Sequence, residues 1–91
     1  MSRLNEPIWT FLPGYFISTA DTPDMGLETM VFPAKEGARA RYTMWRNYAD
    51  GVDFGNPYEE YTRHYPTVML ARAGHKETVQ MVKERIKREI T

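Results

Sequence analysis

From Thr67 to Ile90 the chain keeps a single period, and that stretch dictates what the rest must do. Val68, Ala71, His75, Val79, Val82, Ile86 and Ile90 recur at steps of three and four, which sets them on one stripe of an α-helix. Arg72, Lys76, Glu77, Lys83, Glu84, Lys87 and Arg88 fall on the other side and suit water. An apolar stripe on a helix requires a covering surface, so the preceding residues must build one. Pro66 disfavours helical backbone at Tyr65, and Thr67 stands where a cap is needed. Gly74 lies inside the helix at a cost of about 1 kcal/mol relative to Ala. The use that offsets this cost is a close approach of the helix backbone to the surface beneath.

That surface is expected to be a small antiparallel sheet. Tyr15 to Ala20 alternates aromatic and β-branched residues, with Tyr15, Ile17 and Thr19 on one face. Asp21 to Gly26 reads as a turn. Leu27 to Phe32 is the second strand, with Leu27, Thr29 and Val31 on one face and Glu28, Met30 and Phe32 on the other; Pro33 is expected to end it. Lys35-Glu36-Gly37 suits a hairpin connection. Arg39 to Tyr48 is the third strand, with Ala40, Tyr42, Met44, Arg46 and Tyr48 opposite Arg39, Arg41, Thr43, Trp45 and Asn47. Asp50 to Asn56 is a loop. Between that loop and Pro66 two readings stand: a helical turn over Pro57 to Tyr61 capped by Asn56, or a short strand through Tyr61 to Tyr65.

The first fourteen residues are expected to form an arm. Pro7 and Pro13 bracket Ile8, Trp9, Phe11 and Leu12, which are too apolar for a free tail. Such a segment lies extended on the body of the fold or on a second subunit. The whole is therefore expected to be α+β. An extended N-terminal arm (1–14) leads into one domain (15–91), a three- to four-stranded antiparallel sheet packed by one long C-terminal helix.

Composition narrows the function. Ninety-one residues support one domain and one modest core, so self-association is expected. Twelve basic and twelve acidic residues cancel, which removes the simplest argument for nucleic acid or an anionic membrane. There is no cysteine, hence no disulfide and no thiolate metal site. No apolar run reaches the ~20 residues of a membrane span, and the amino terminus lacks a signal-peptide pattern. These features point to a soluble cytoplasmic domain without a membrane partner.

Among polar residues His75 is the most informative, because it falls on the apolar stripe next to Gly74. A buried imidazole needs a partner, and Glu28, Thr29 or a tyrosine hydroxyl could supply it. The bland role is a core histidine that orients the helix; the sharper one is contact with a ligand. Glu28, if it shares the helix side, needs His75 or Arg46. Arg39, Arg41 and Trp45 form a candidate for holding a phosphate and stacking a base. Their bland role is a solvated face paired with Glu59, Glu60 or Asp53. Tyr58, Tyr61, Arg63 and Tyr65 form a second candidate surface, of the composition favoured at interfaces, and Trp9 a third contact point. No nucleophile elbow, glycine-rich phosphate loop or metal-ligand spacing is present, so no catalysis, cofactor or metal is expected.

Three fragments carry a resemblance: Phe16-Ile17-Ser18-Thr19-Ala20-Asp21, Gly26-Leu27-Glu28-Thr29-Met30-Val31-Phe32, and Ala71-Arg72-Ala73-Gly74-His75 with Val79 beyond it. In this order the chain resembles a class of small tailed-bacteriophage proteins with an S-T strand, an E-T-M-V-F strand and an A-x-x-G-H-x-x-x-V helix. The segment Asp50 to Tyr65 is longer than that pattern's link, and the Trp9 arm has no counterpart in it. The resemblance implies a phage origin, an infected bacterial cytoplasm and the α+β fold, but no reaction. On it the expected function is an accessory protein that binds a host protein or a copy of itself. A small-ligand binder that sequesters a nucleotide signal, through Arg39, Arg41, Trp45 and His75, is the second reading, and a minor virion component the third.

Overall fold

The computed structural model describes residues 4–90. In chain order it contains β1 (Ile8–Leu12), β2 (Tyr15–Thr22), β3 (Gly26–Tyr42), β4 (Asn47–Val52), a single 3-10 turn at Glu59–Tyr61, β5 (Arg63–Tyr65) and α1 (Val68–Ile90). All strand pairs are antiparallel, so the fold is α+β, one sheet with a single C-terminal helix across it. Among the described residues no helix is long and apolar enough to cross a membrane.

Residues 1–3 of the arm lie outside the described residues; beyond them the arm contributes a strand of the sheet. Its Ile8–Leu12 segment pairs along β2 from Ile8↔Thr19 to Leu12↔Tyr15, around a Pro13-Gly14 turn whose glycine takes φ +84°. Pro preceding a positive-φ Gly suits the centre of such a turn, and the apolar residues between the two prolines then gain a ladder partner.

β3 is the spine, seventeen residues long. β2 lies on one edge of its first half. Along the other edge run β4 and β5, joined by bonds from Asp53 N to Pro33 O (2.9 Å) and from Tyr58 N to Val31 O (2.8 Å). This explains why Pro33 does not end the strand. In an antiparallel ladder a residue's N–H and C=O point to the same edge. The Pro33 carbonyl meets Asp53, so its missing N–H falls on that edge too, where residues 53–57 leave the ladder. The proline sits at a place where the spine needs no donor.

The expected hairpin at Lys35–Gly37 is likewise replaced. The strand passes through it with a register irregularity between Ala34 and Arg39 and turns only at residues 43–46. Thr43 decides the place. Its hydroxyl accepts from Arg46 N (3.0 Å) and Trp45 N (3.3 Å) and donates to Arg46 O (2.6 Å), while Thr43 N donates to Arg46 O as well. A side chain that closes its own turn in this way outcompetes a glycine with nothing to bond. Arg39 to Tyr48 is therefore not one strand but the end of β3, a turn and the start of β4.

The sheet has packing on both faces. Toward α1, Tyr15, Ile17, Val31, Tyr61 and Val82 form one buried cluster. On the far face Phe16, Phe32 and Ala49 form a second, flanked by Trp9, Phe11, Met30, Ala34 and Val52. Because Ala49 and Val52 belong to β4, the ribbon made by β4 and the end of β3 folds back across the face that the helix leaves open. The helix stripe is also narrower than its sequence period suggests. Ala71, Gly74, His75, Thr78 and Val82 are buried, whereas Val68, Val79 and Ile86 are half-buried and Ile90 is 78% exposed. For Pro57 to Tyr65 both readings apply in shortened form and in succession: the turn covers only Glu59–Tyr61, with Tyr58 at its cap position while Asn56 bonds Asp53 instead, and the strand follows at Arg63–Tyr65.

Candidate functional site: a polar seam and an exposed ribbon

Beneath α1 lies a line of polar groups. His75 is 4% exposed; its Nε2 is 2.8 Å from Thr10 Oγ1 and its Nδ1 2.7 Å from Thr19 Oγ1. Thr19 bonds Thr29 across the ladder, and the Tyr65 hydroxyl donates to Thr29 Oγ1 at 3.0 Å. Proton accounting orders the seam. Tyr65 donates to Thr29, Thr29 to Thr19 and Thr19 to Nδ1, which leaves the imidazole proton on Nε2 facing Thr10. A neutral ring fits this chain, whereas a second ring proton would leave one hydroxyl, that of Thr19 or of Thr29, with no acceptor in it. Burial acts in the same direction and lowers the His75 pKa.

Stability depends on pH through that shift. Below about pH 6.5 the unfolded imidazole binds a proton that the folded one refuses, so stability is full above this pH and falls on acidification toward the lower folded pKa. The melting temperature is expected to drop between about pH 7 and pH 5. His75→Gln, compared over the same range, should show a shallower drop; equal slopes would remove His75 as the source.

A hydroxyl beside an imidazole resembles a nucleophile and its base, but Thr19 is 0% exposed and covered by the helix. No substrate reaches it, and the pair holds α1 to the sheet. Glu28 is not its partner. It lies on the far face, 13% exposed, with Oε2 2.8 Å from His64 Nε2 in the next strand. Thr10 and Thr19, the residues that do hold His75, are not singled out by the sequence; the alternation of Tyr15, Ile17 and Thr19 is the available signal for the latter.

The tyrosine surface is largely used by the protein itself. Arg85, which the sequence pattern does not single out, lies over the rings of Tyr58 (4.9 Å), Tyr15 (5.5 Å) and Tyr61 (5.9 Å), with Glu60 and Glu89 at 3.7 and 3.8 Å. Tyr15 donates to Glu89 at 2.8 Å, and burial together with this bond pushes its phenol up to about 12. Arg63 reaches Glu77 and the Met81 sulfur, and Tyr65 belongs to the seam. Trp9 packs edge-on against Phe16 at 5.7 Å. Arg85→Ala, which loses three ring contacts around a partly exposed guanidinium, is expected to cost about 1 kcal/mol in chemical denaturation.

Of the candidate surfaces named from the sequence, the end of the β3–β4 ribbon stays open. Met44, Trp45 and Tyr42 are 89%, 88% and 75% exposed. Tyr42 and Asn47 border a small cavity with Glu6, Pro7 and Trp9, so that side of the ribbon faces the body. Arg39 and Arg41 lie on the other side, opposite Asp50 and Tyr48. Arg41 Nε bonds Asp50 at 3.0 Å, and the Arg46 guanidinium stands 5.4 Å over the Tyr48 ring. Arg39, Arg41 and Trp45 are thus gathered on one ribbon, while His75 is buried elsewhere under the helix. Among the described residues no group of three or more His, Cys, Asp or Glu could hold a metal ion. No family model, no curated protein and no solved structure matches this chain.

Proposed function

We propose that the protein works by binding a macromolecular partner through the end of its β3–β4 ribbon and carries out no reaction. The observation that supports this reading is the exposure of Met44 and Trp45, 89% and 88%, at a turn held by four bonds within residues 43–46. A turn fixed in this way loses little backbone entropy on docking, and Trp, Tyr and Arg dominate binding hot spots. A free nucleotide is the weaker reading, because small ligands need an enclosing concavity. The cavities beside the ribbon are walled by residues such as Phe11, Gly14, Lys35, Gly51 and Trp9, not by Arg39, Arg41 or Trp45.

With the resemblance of its strand and helix fragments, the proposal is a phage-encoded accessory protein acting in the cytoplasm of an infected bacterium. A host protein or a second copy of the chain would occupy the ribbon end. Light scattering after size exclusion, together with affinity retention of host proteins, tests it with wild type and Trp45→Ser. Trp45→Ser should leave thermal stability within about 0.5 kcal/mol, since the site is on the surface, and abolish the association. A strict monomer that retains nothing from host lysate would sink the proposal.

A further inference from the structure

We infer that the outer face of the β3–β4 ribbon seats single-stranded nucleic acid. This rests on the reading of the ribbon as the working surface and gives that face an occupant of a different class from the protein partner proposed above. The ten residues from Arg39 to Tyr48 hold three of the twelve basic side chains and none of the twelve acidic ones. The ribbon over Arg39 to Val52 also contains Asp50, so it carries three basic residues against one acidic and the rest of the chain nine against eleven, and net neutrality conceals a positive ribbon on a negative body. Such a separation orients an approaching polyanion toward the ribbon.

The side chains are arranged for it. Arg39 and Arg41 alternate along β3 and so share the outer face with Tyr48 and Asp50, their partners across the ladder. Asp50 is bonded to Arg41, and among the described residues neither Arg39 nor Arg46 has a carboxylate within ion-pair distance. Arg46 is held over Tyr48, which fixes its position without using its hydrogen-bond donors. At the tip Trp45 offers an uncovered indole. Arginines on an open face that ends in a free indole are what a single strand needs, phosphates on the cations and a base on Trp45. A duplex hides its base faces and leaves Trp45 and Met44 without a role.

The test titrates the full chain into a labelled single-stranded oligonucleotide of mixed sequence, read by fluorescence anisotropy at several salt concentrations. The same strand as a duplex, polyglutamate and anionic phospholipid vesicles serve as comparators. Three phosphate contacts predict a slope of log K against log salt of about −2 for a single strand. Affinity should then fall about 20-fold over a fourfold rise in salt. Arg39→Gln with Arg46→Gln should bring the slope to about −1 or shallower. Trp45→Ser should weaken binding by about tenfold with the slope unchanged, because it removes stacking and no charge. Preference for the duplex, capture by polyglutamate or vesicles without oligonucleotide binding, or affinity unmoved by these variants would overturn the inference. If the oligonucleotide fails to bind while Trp45→Ser still abolishes self-association or host-protein retention, the ribbon remains the working surface and nucleic acid alone is discarded.

Discussion

His75→Ala is expected to lower the free energy of unfolding by about 3 kcal/mol or more, through two losses that act together. Truncating a buried ring of this size leaves a cavity, and large-to-small changes in cores cost about 2–5 kcal/mol. The half-buried Thr10 and the buried Thr19 also lose the nitrogens they bond, and a buried hydroxyl left unsatisfied costs on the order of 1–3 kcal/mol. The losses do not add in full, since the seam can shift toward the gap. Against the roughly 5–14 kcal/mol that a domain of this length has in total, the variant would be marginal. Urea denaturation monitored by circular dichroism reads the effect. His75→Gln, which keeps a donor and an acceptor, should lose clearly less than Ala; equal losses would mean that ring volume matters and the seam does not.

The second large effect is at Gly74, where Ala should destabilise by about 2 kcal/mol although it is the better helix former. A Cβ placed there would stand 2.3 Å from Tyr65 Cε1 and the Tyr65 hydroxyl and 2.4 Å from Cζ. The ring cannot simply withdraw, because its hydroxyl is bonded to Thr29 and its backbone is paired with Leu27. Overpacking of this kind costs about 1–3 kcal/mol, more than the ~1 kcal/mol gained in helix propensity. The two contributions separate in a double-mutant cycle. In a Tyr65→Ala background Gly74→Ala should become neutral or stabilising, giving a coupling of about 2 kcal/mol. A Gly74→Ala protein that melts higher than wild type would show that Tyr65 does not lie against the helix.

These two residues also mark how far local pattern reaches. That His75 and Gly74 face the sheet comes from their place on the stripe, and a close approach is the expected use of a glycine there. The ring that makes the approach is not legible, because Tyr65 reaches the helix only once β5 has joined β3. Likewise the faces of β2 and of the first half of β3 are legible from alternation. The partner of Glu28 is not, because alternation says which side a residue takes and not what stands opposite. The third strand differs from expectation for a local reason. Lys35-Glu36-Gly37 and Thr43 to Arg46 both have turn chemistry, and the hydroxyl of Thr43 makes the bonds that settle the competition.

By itself, then, the sequence determined what depends on near neighbours: the long helix with its start at Thr67, where the hydroxyl takes Leu70 N at 3.2 Å, and the alternating strands with the α+β class they imply. Tertiary structure alone decided the contacts made across long separations. It placed Arg85 among three tyrosines, lined His75 with threonines from two strands, and folded the ribbon back over Phe16 and Phe32 while leaving Trp45 in solvent. The physical reason is that periodicity is set by bonds within one element, whereas a partner depends on the register and curvature with which separate elements meet.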